Sequence, residues 1–353
     1  MLDYDVVVAT RNRLDMLGLT LPLFLAQSRK PARIIVVDRS DDHDSIRALC
    51  ERISAGERIP VEVHYGDAAN LPAQRNQGIE RVESEVVLFP DDDSMWFPDT
   101  AERVVSVFEA DSAHLYGAVS AVDVYESPVP LGDDAPQRRT RLTERPSIMR
   151  VRNGFEAALV PQPFEIYGRA RSAELSPAAR AAGLRHPLVG TIGGYRMSFR
   201  TETAKRVRFD PVLGSKVGYG THEDKDMALR VLREGQLIAV AEDARVFHNV
   251  HPGKRAGGFE YGYFHVLNYV YICRKVMPDP SPALAGMRRY LRYKVALYRL
   301  RRGDDYGRDV HRGALVALTD GEQLLAGSPE SLADRYETLA ERAREAQRAG
   351  SAE

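Results

Sequence analysis

Along the N-terminal quarter of the chain the apolar residues follow two alternating rhythms. Tyr4–Ala9, Arg33–Val37, Val61–Tyr65 and Val86–Phe89 are short, β-branched blocks of strand length. Between them Leu14, Leu17, Leu21, Phe24 and Leu25 recur at helical spacing, and Ser45–Ile53 and Leu71–Val82 read as two further helices. Pro22 lies inside the first helix and predicts a kink there, or a late start behind Thr20. Strands that alternate with helices over short connections build βαβ units. The predicted fold class is α/β, with a Rossmann-like, mostly parallel central sheet flanked by helices.

Asp99–Asp111 continues as a helix and Leu115–Tyr125 as a strand. From Ser127 to His186 the periodicity fades among prolines and arginines, so 127–187 reads as an irregular insertion, a lid or acceptor loop. Regular patterning returns at Thr191–Phe199, then in helices over Thr201–Val207 and Met227–Glu234 and a strand over Leu237–Phe247. Glu260–Val276 is an aromatic-rich helix. Met287, Leu291, Val295 and Tyr298 then form an apolar stripe amid Arg288, Arg289, Arg292, Lys294, Arg299, Arg301 and Arg302, with no acid in the segment. The Ala-rich tail after Ser328 reads as a terminal helix. Residues 1–255 thus form the sheet domain and 256–353 a helical C-terminal extension.

Composition narrows the class. The 353 residues can bury one large core plus an appendage, and 44% hydrophobic with 28% charged residues is an ordinary globular balance. Lys and Arg number 49 against 50 Asp and Glu, so nothing in the charge points to nucleic acid. Cys50 and Cys273 lie far apart without a Cys-x-x-Cys partner, which argues against a thiolate metal site or a disulfide scaffold. The start, Met-Leu-Asp-Tyr-Asp, lacks a secretory pattern, and no apolar run approaches a membrane span. The expectation is a cytoplasmic protein. Segment 287–302 is a candidate for peripheral contact at the inner face of the membrane, its plainer reading being a helix docked on its own domain. Self-association into a homo-oligomer is left open.

Candidate chemistry collects at strand ends. Thr10, Arg11, Asp38, Asp67 and Asp91 each follow a predicted strand, and parallel sheets bind ligands at that rim. After the first strand stands Thr10-Arg11-Asn12-Arg13, not a glycine-rich phosphate loop, so a dinucleotide site or P-loop is disfavoured. A diphosphate would be left to metal and arginine. Val86–Phe89 runs into Pro90 and then Asp91-Asp92-Asp93. If the strand stays extended, Asp91 and Asp93 point the same way and can grip one Mg²⁺ or Mn²⁺. The plainer reading is an acidic turn capping the next helix. Glu223, Asp224 and Asp226 open a helix behind Thr221 and His222, where acids suit the dipole, and where one facing the rim could act as general base. His248 ends the last strand and is a candidate third metal ligand, with His251 the alternate.

Five segments in order carry a resemblance: Val6–Arg13, Ile35–Asp41, Ala73–Ile79, Phe89–Asp93 and His222–Arg230. Together, over residues 4–250, they look like the family 2 glycosyltransferases of GT-A fold. The resemblance implies an inverting, metal-dependent transfer of sugar from a nucleoside-diphosphate donor, a uridine diphosphate sugar first among them, to an acceptor hydroxyl. It assigns Asp224 as general base and Asp91, Asp93 and His248 as metal ligands. Thr10 and Asp38 would contact the nucleotide, Asp38 through the base, and Arg75 would face the diphosphate. Arg11, Arg13, Asp67 and Asp92 complete the donor-binding set. Pro90 and Arg39 depart from the family's usual residues at their positions. Two alternatives stand beside this reading: a catalytically silent nucleotide- or sugar-binding module, and a sugar nucleotidyltransferase.

Overall fold

The computed structural model describes residues 1–131, 162–214, 221–249, 257–277, 281–300 and 305–350. Its chain forms two compact units. One comprises Met1–Arg139, Gly168–Pro211 and Glu223–Gly253, and the other Thr140–Tyr167, Val212–His222 and Lys254–Glu353.

The first unit opens with β1 (Tyr4–Thr10), α1 (Leu14–Leu25), β2 (Arg33–Asp38), α2 (His43–Ser54), β3 (Val61–Tyr65), α3 (Leu71–Ile79) and β4 (Val86–Phe89). All seven residues of β1 are buried, which is why its sequence reads as a continuous apolar run instead of an alternating one. Asp42 and Asn70 start α2 and α3 by accepting the backbone N–H of Ser45 and Ala73. The helix over α1 runs on through Pro22, where a kink or late start was expected. The third helix stops at Ile79 and not Val82, because Arg81 and Val82 donate to the carbonyls of Gly78 and Ile79 in tightened turns.

Next come β5 (Ser94–Trp96), α4 (Thr100–Ala110), β6 (Tyr116–Val124) and, inside the stretch expected to be irregular, α5 (Pro163–Ala181), of which Gly168–Ala181 belongs to this unit. Residues 132–161 of that insertion lie outside the described ones. The unit ends with β7 (Met197–Arg200), α6 (Thr201–Val207), α7 (Glu223–Arg233) and β8 (Leu237–His248). A short 3-10 turn at Gly194–Arg196 replaces the start of the predicted alternating run.

The eight strands lie in the order β3-β2-β1-β4-β7-β6-β8-β5. The β1, β2, β3 and β4 pairings are parallel, as is β6 with β8. The β7 strand runs antiparallel between β4 and β6, and β5 runs antiparallel along β8. The sheet is therefore mixed, its parallel half being the part built from βαβ units.

The second unit holds α8 (Gly258–Val276), α9 (Ser281–Leu300), α10 (Asp305–Ala326) and α11 (Leu332–Gly350). Sequence reading marked no helix over α10. At Gly313 a Cβ would overlap the carbonyl of Phe259, so α10 and α8 approach backbone to backbone. The Tyr263 hydroxyl reaches Asp320 Oδ2 at 2.7 Å, and Tyr336 donates to Asn268 at 2.5 Å. Among the described residues no helix is long and apolar enough to cross a membrane.

One glycine sets how closely α3 lies on β1. A Cβ at Gly78 would overlap the side chain of Val7. Gly78→Ala should therefore cost about 1–3 kcal/mol through overpacking, read as a lower urea midpoint at unchanged slope.

Candidate functional site

The carboxylate cluster grows out of a turn, not an extended strand. Asp91 makes one parallel bridge with Ala9, and its carbonyl then accepts the N–H of Ser94 at 3.0 Å. The expected alternation of side chains along a strand is thus replaced by a chain reversal, which itself brings Asp91 and Asp93 together. The β5–β8 pairing sets Ser94 opposite His248, and Asn249 donates to the Asp93 carbonyl at 2.9 Å. His248 Nε2 consequently lies 3.1 Å from Asp93 Oδ1. Asp91, Asp93 and His248 each offer one ligand atom, all within 4.8 Å of one another. Two hard carboxylate oxygens and an imidazole nitrogen form a donor set that fits Mn²⁺ or Mg²⁺. The alternate ligand, His251, lies outside the described residues.

Electrostatics fit a crowded acidic site. Burial raises the pKa of Asp91 against the pull of Arg75, and the neighbouring Asp93 raises it further. Burial disfavours the His248 imidazolium, but the hydrogen bond and charge of Asp93, aided by Asp91, outweigh that and raise its pKa.

The middle acid turns inward. Asp92 accepts Thr10 Oγ1 at 2.7 Å and Arg13 Nη1 at 2.8 Å, while Thr20 Oγ1 donates to its carbonyl at 2.9 Å. It fastens the turn to β1 and α1, and burial pushes its carboxyl up to about 7 despite Arg13. The same Arg13 Nη1 lies 3.2 Å from Asp93.

Arg75, on α3, is buried between two carboxylates. Its Nη2 donates to Asp91 Oδ1 at 2.6 Å and its Nη1 to Glu223 Oε1 at 2.8 Å. It therefore links the acidic turn to the first residue of α7. Burial raises the Glu223 pKa, with Arg75 pulling the other way. Asp224 is half-buried, and its Oδ2 accepts the N–H of Gly194 at 2.9 Å. A Cβ on Gly194 would lie 3.5 Å from Arg75 Nη2 and 3.6 Å from Glu223 Oε1, so these groups share one junction.

A second cluster sits at the ends of β2 and β3. Asp38 is buried, accepts the N–H and hydroxyl of Ser40, and lies 2.7 Å from His43 Nδ1. His43 packs edge-on against Tyr65 at 5.0 Å, and the Arg39 guanidinium covers that ring at 4.4 Å. Arg11 and Asp67 are exposed, and among the described residues they belong to the rim by chain position and not by contact with the carboxylates.

Sequence reasoning missed His43, Tyr65 and Tyr195. Tyr195 stacks on His248 with centroids 4.3 Å apart and planes at 10°, and its carbonyl accepts Ser94 Oγ at 3.0 Å. Ser94 Oγ in turn accepts the Asp91 N–H at 2.9 Å. The only sequence signal for this bracing was the Gly193-Gly194 pair just before it.

Residues 5–160 match the family model described as Glycosyl transferase family 2. No curated protein matches the chain in sequence. The crystal structure of S. aureus TarS 1-349 in complex with UDP-GlcNAc is 14% identical, covers 98% of this chain and 92% of its own, and has a TM-score of 0.54. The mannosyltransferase PcManGT from Pyrobaculum calidifontis, in complex with GDP-Man and Mn²⁺, is 14% identical over 97% of this chain and 89% of its own, at a TM-score of 0.50. At such identities the likeness is one of fold.

Because Arg75 lies between the buried Glu223 and the half-buried Asp91, removing it leaves both without their cation. Arg75→Leu should destabilise the protein by about 3–5 kcal/mol in urea unfolding. Adding Glu223→Gln to that variant should recover part of the loss, and strictly additive effects would show that the pair is not coupled.

Proposed function

We propose that the chain, whose residues 5–160 match the Glycosyl transferase family 2 model, is a glycosyltransferase of GT-A fold that carries out an inverting transfer of sugar from a nucleoside-diphosphate donor to an acceptor hydroxyl, with Asp224 as general base. The observation that carries the reading is the gathering of Asp91, Asp93 and His248 with Arg75, Glu223 and Asp224 on one strand-end rim. The donors held by the two structures of like fold, UDP-GlcNAc in TarS and GDP-Man in PcManGT, support the donor class. A uridine diphosphate sugar is the first candidate.

Asp91, Asp93 and His248 are the residues that would hold Mn²⁺ or Mg²⁺, and a cation bound there supplies positive charge for a departing diphosphate. Arg13 is the arginine placed to add to that charge, because its side chain is 40% exposed beside Asp92 and Asp93. Arg75 is almost fully buried and acts instead by holding Asp91 and Glu223 in place. Thr10, Asp38, Arg11 and Asp67 line the side of the rim assigned to the nucleotide.

In the reaction, the acceptor oxygen bonds to the anomeric carbon from the face opposite the leaving group. Its proton passes to an oxygen of Asp224, and the bond from the anomeric carbon to the diphosphate oxygen breaks with its electron pair staying on that oxygen. No second carboxylate is required as a covalent nucleophile. Asp224 suits the base better than Glu223 does. Glu223 is buried and bound to Arg75, whereas Asp224 is half-buried and oriented by the N–H groups of Gly194 and Lys225. Those two bonds leave lone pairs free on its carboxylate.

Asp224→Asn should lower kcat by roughly two to four orders of magnitude while donor affinity, measured by calorimetry, stays within a few-fold. Unchanged turnover would remove Asp224 as the base. Tyr195, which fixes the His248 ring by stacking, gives a second test. Tyr195→Ala should weaken Mn²⁺ binding roughly tenfold in a direct titration, and Tyr195→Phe should leave it near wild type. Equal affinity in all three proteins would show that the stack does not position the ligand.

A further inference from the structure

We propose that the outer face of the α9–α10 pair is a docking surface for an anionic lipid bilayer. The inference begins with an imbalance of charge. The α9 helix contains Arg288, Arg289, Arg292, Lys294 and Arg299 and no acid. Its apolar stripe of Met287, Tyr290, Leu291, Val295 and Tyr298 is buried, so the helix is anchored within its own unit. Ala285, Arg289, Arg292, Ala296 and Arg299 are the exposed positions. They recur every three or four residues, which lines up three guanidiniums on one outward stripe with only alanine between them.

The neighbouring helix does not neutralise this stripe. On α10, Asp305 pairs with Arg308, Asp309 with Arg312, and Asp320 with the Tyr263 hydroxyl and Arg342. Glu322 takes Arg288 at 2.6 Å. Among the described residues, Arg289, Arg292 and Arg299 are therefore left without a carboxylate partner.

The Arg288–Glu322 pair also marks the edge where the two helices meet. At 3.6 residues per turn, Arg292 and Arg299 fall within about 40° of Arg288 around α9, and Leu315 falls within about 20° of Glu322 around α10. Leu315 is thus on the edge that faces the arginines. It is 45% exposed.

This mixture of chemistry selects the occupant. A soluble polyanion would satisfy the guanidiniums and leave Leu315 in water. The headgroup layer of an anionic bilayer offers phosphate charge and, just beneath it, an apolar boundary. No described helix is long and apolar enough to span a membrane, so the contact lies on its surface.

Co-sedimentation of the full chain with phosphatidylcholine vesicles, with and without phosphatidylglycerol, tests the proposal. The expected result is binding to the phosphatidylglycerol vesicles only, abolished by high salt. The triple variant Arg289→Glu, Arg292→Glu, Arg299→Glu should weaken that binding roughly tenfold or more, and Leu315→Ser by a smaller factor. The melting temperature should stay unchanged in both, since all four positions are exposed. Absence of binding by the wild type, or equal binding by the triple variant, would overturn the proposal. So would tighter capture by heparin that ignores Leu315→Ser, which would assign the face to a soluble polyanion.

Discussion

A single buried guanidinium keeps the acids of this site together. Asp91 and Glu223 belong to different elements, Glu223 buried and Asp91 half-buried, and desolvation drives both toward the neutral form. Arg75 lies between them with one nitrogen on each. Burying three charged groups is costly, and such a triad is weak evidence of added stability. Its effect is geometric. It fixes the distance between the acidic turn after β4 and the start of α7, which carries Asp224.

The placement of Arg75 depends in turn on α3, an unusual helix whose inner side is polar. Gln74 Nε2 donates to the carbonyls of Thr10 at 3.0 Å and Val37 at 2.9 Å, just where β1 and β2 end. Asn76 exchanges two hydrogen bonds of 2.8 Å with the backbone of Phe209. Gly78 lets the helix sit against Val7. Three consecutive polar side chains thus tie five separate pieces of backbone or side chain to one helix. Each lost contact would strand a buried polar group, so the helix is held in position by the cost of moving it.

The parallel half of the sheet was legible because its strands are buried on both faces and its helices begin with side-chain caps. The second half was harder to read. The β5 strand has three residues, too few for any periodicity, yet its pairing with β8 is what brings His248 to the acidic turn. Prolines at 163 and 177 disguised α5 as loop. In α10 the inward positions include Gly307, Gly313, Ala314, Ala317 and Gly321, whose small side chains allow close packing while weakening the apolar signal. Asp91 and Asp93 stand out by their spacing, but what brings them together is a turn and not the alternation of an extended chain. That turn also explains Asp92. Three consecutive acids in a tight reversal cannot all face the same way, and the middle one goes inward to Thr10 and Arg13.

Charge balance links the pieces. The rim gathers Asp91, Asp92, Asp93, Glu223 and Asp224 around Arg13, Arg75 and His248. The two guanidiniums are fixed charges, whereas the imidazole is adjustable, and its pKa is raised chiefly through Asp93. A proton on His248 and a divalent cation on Asp91 and Asp93 answer the same electrostatic demand, and an imidazolium has no lone pair with which to ligate. Were a cation to bind at these residues as proposed, it would have to displace that proton. Tyr195 stacks on that ring and holds it in the orientation in which Nε2 lies 3.1 Å from Asp93.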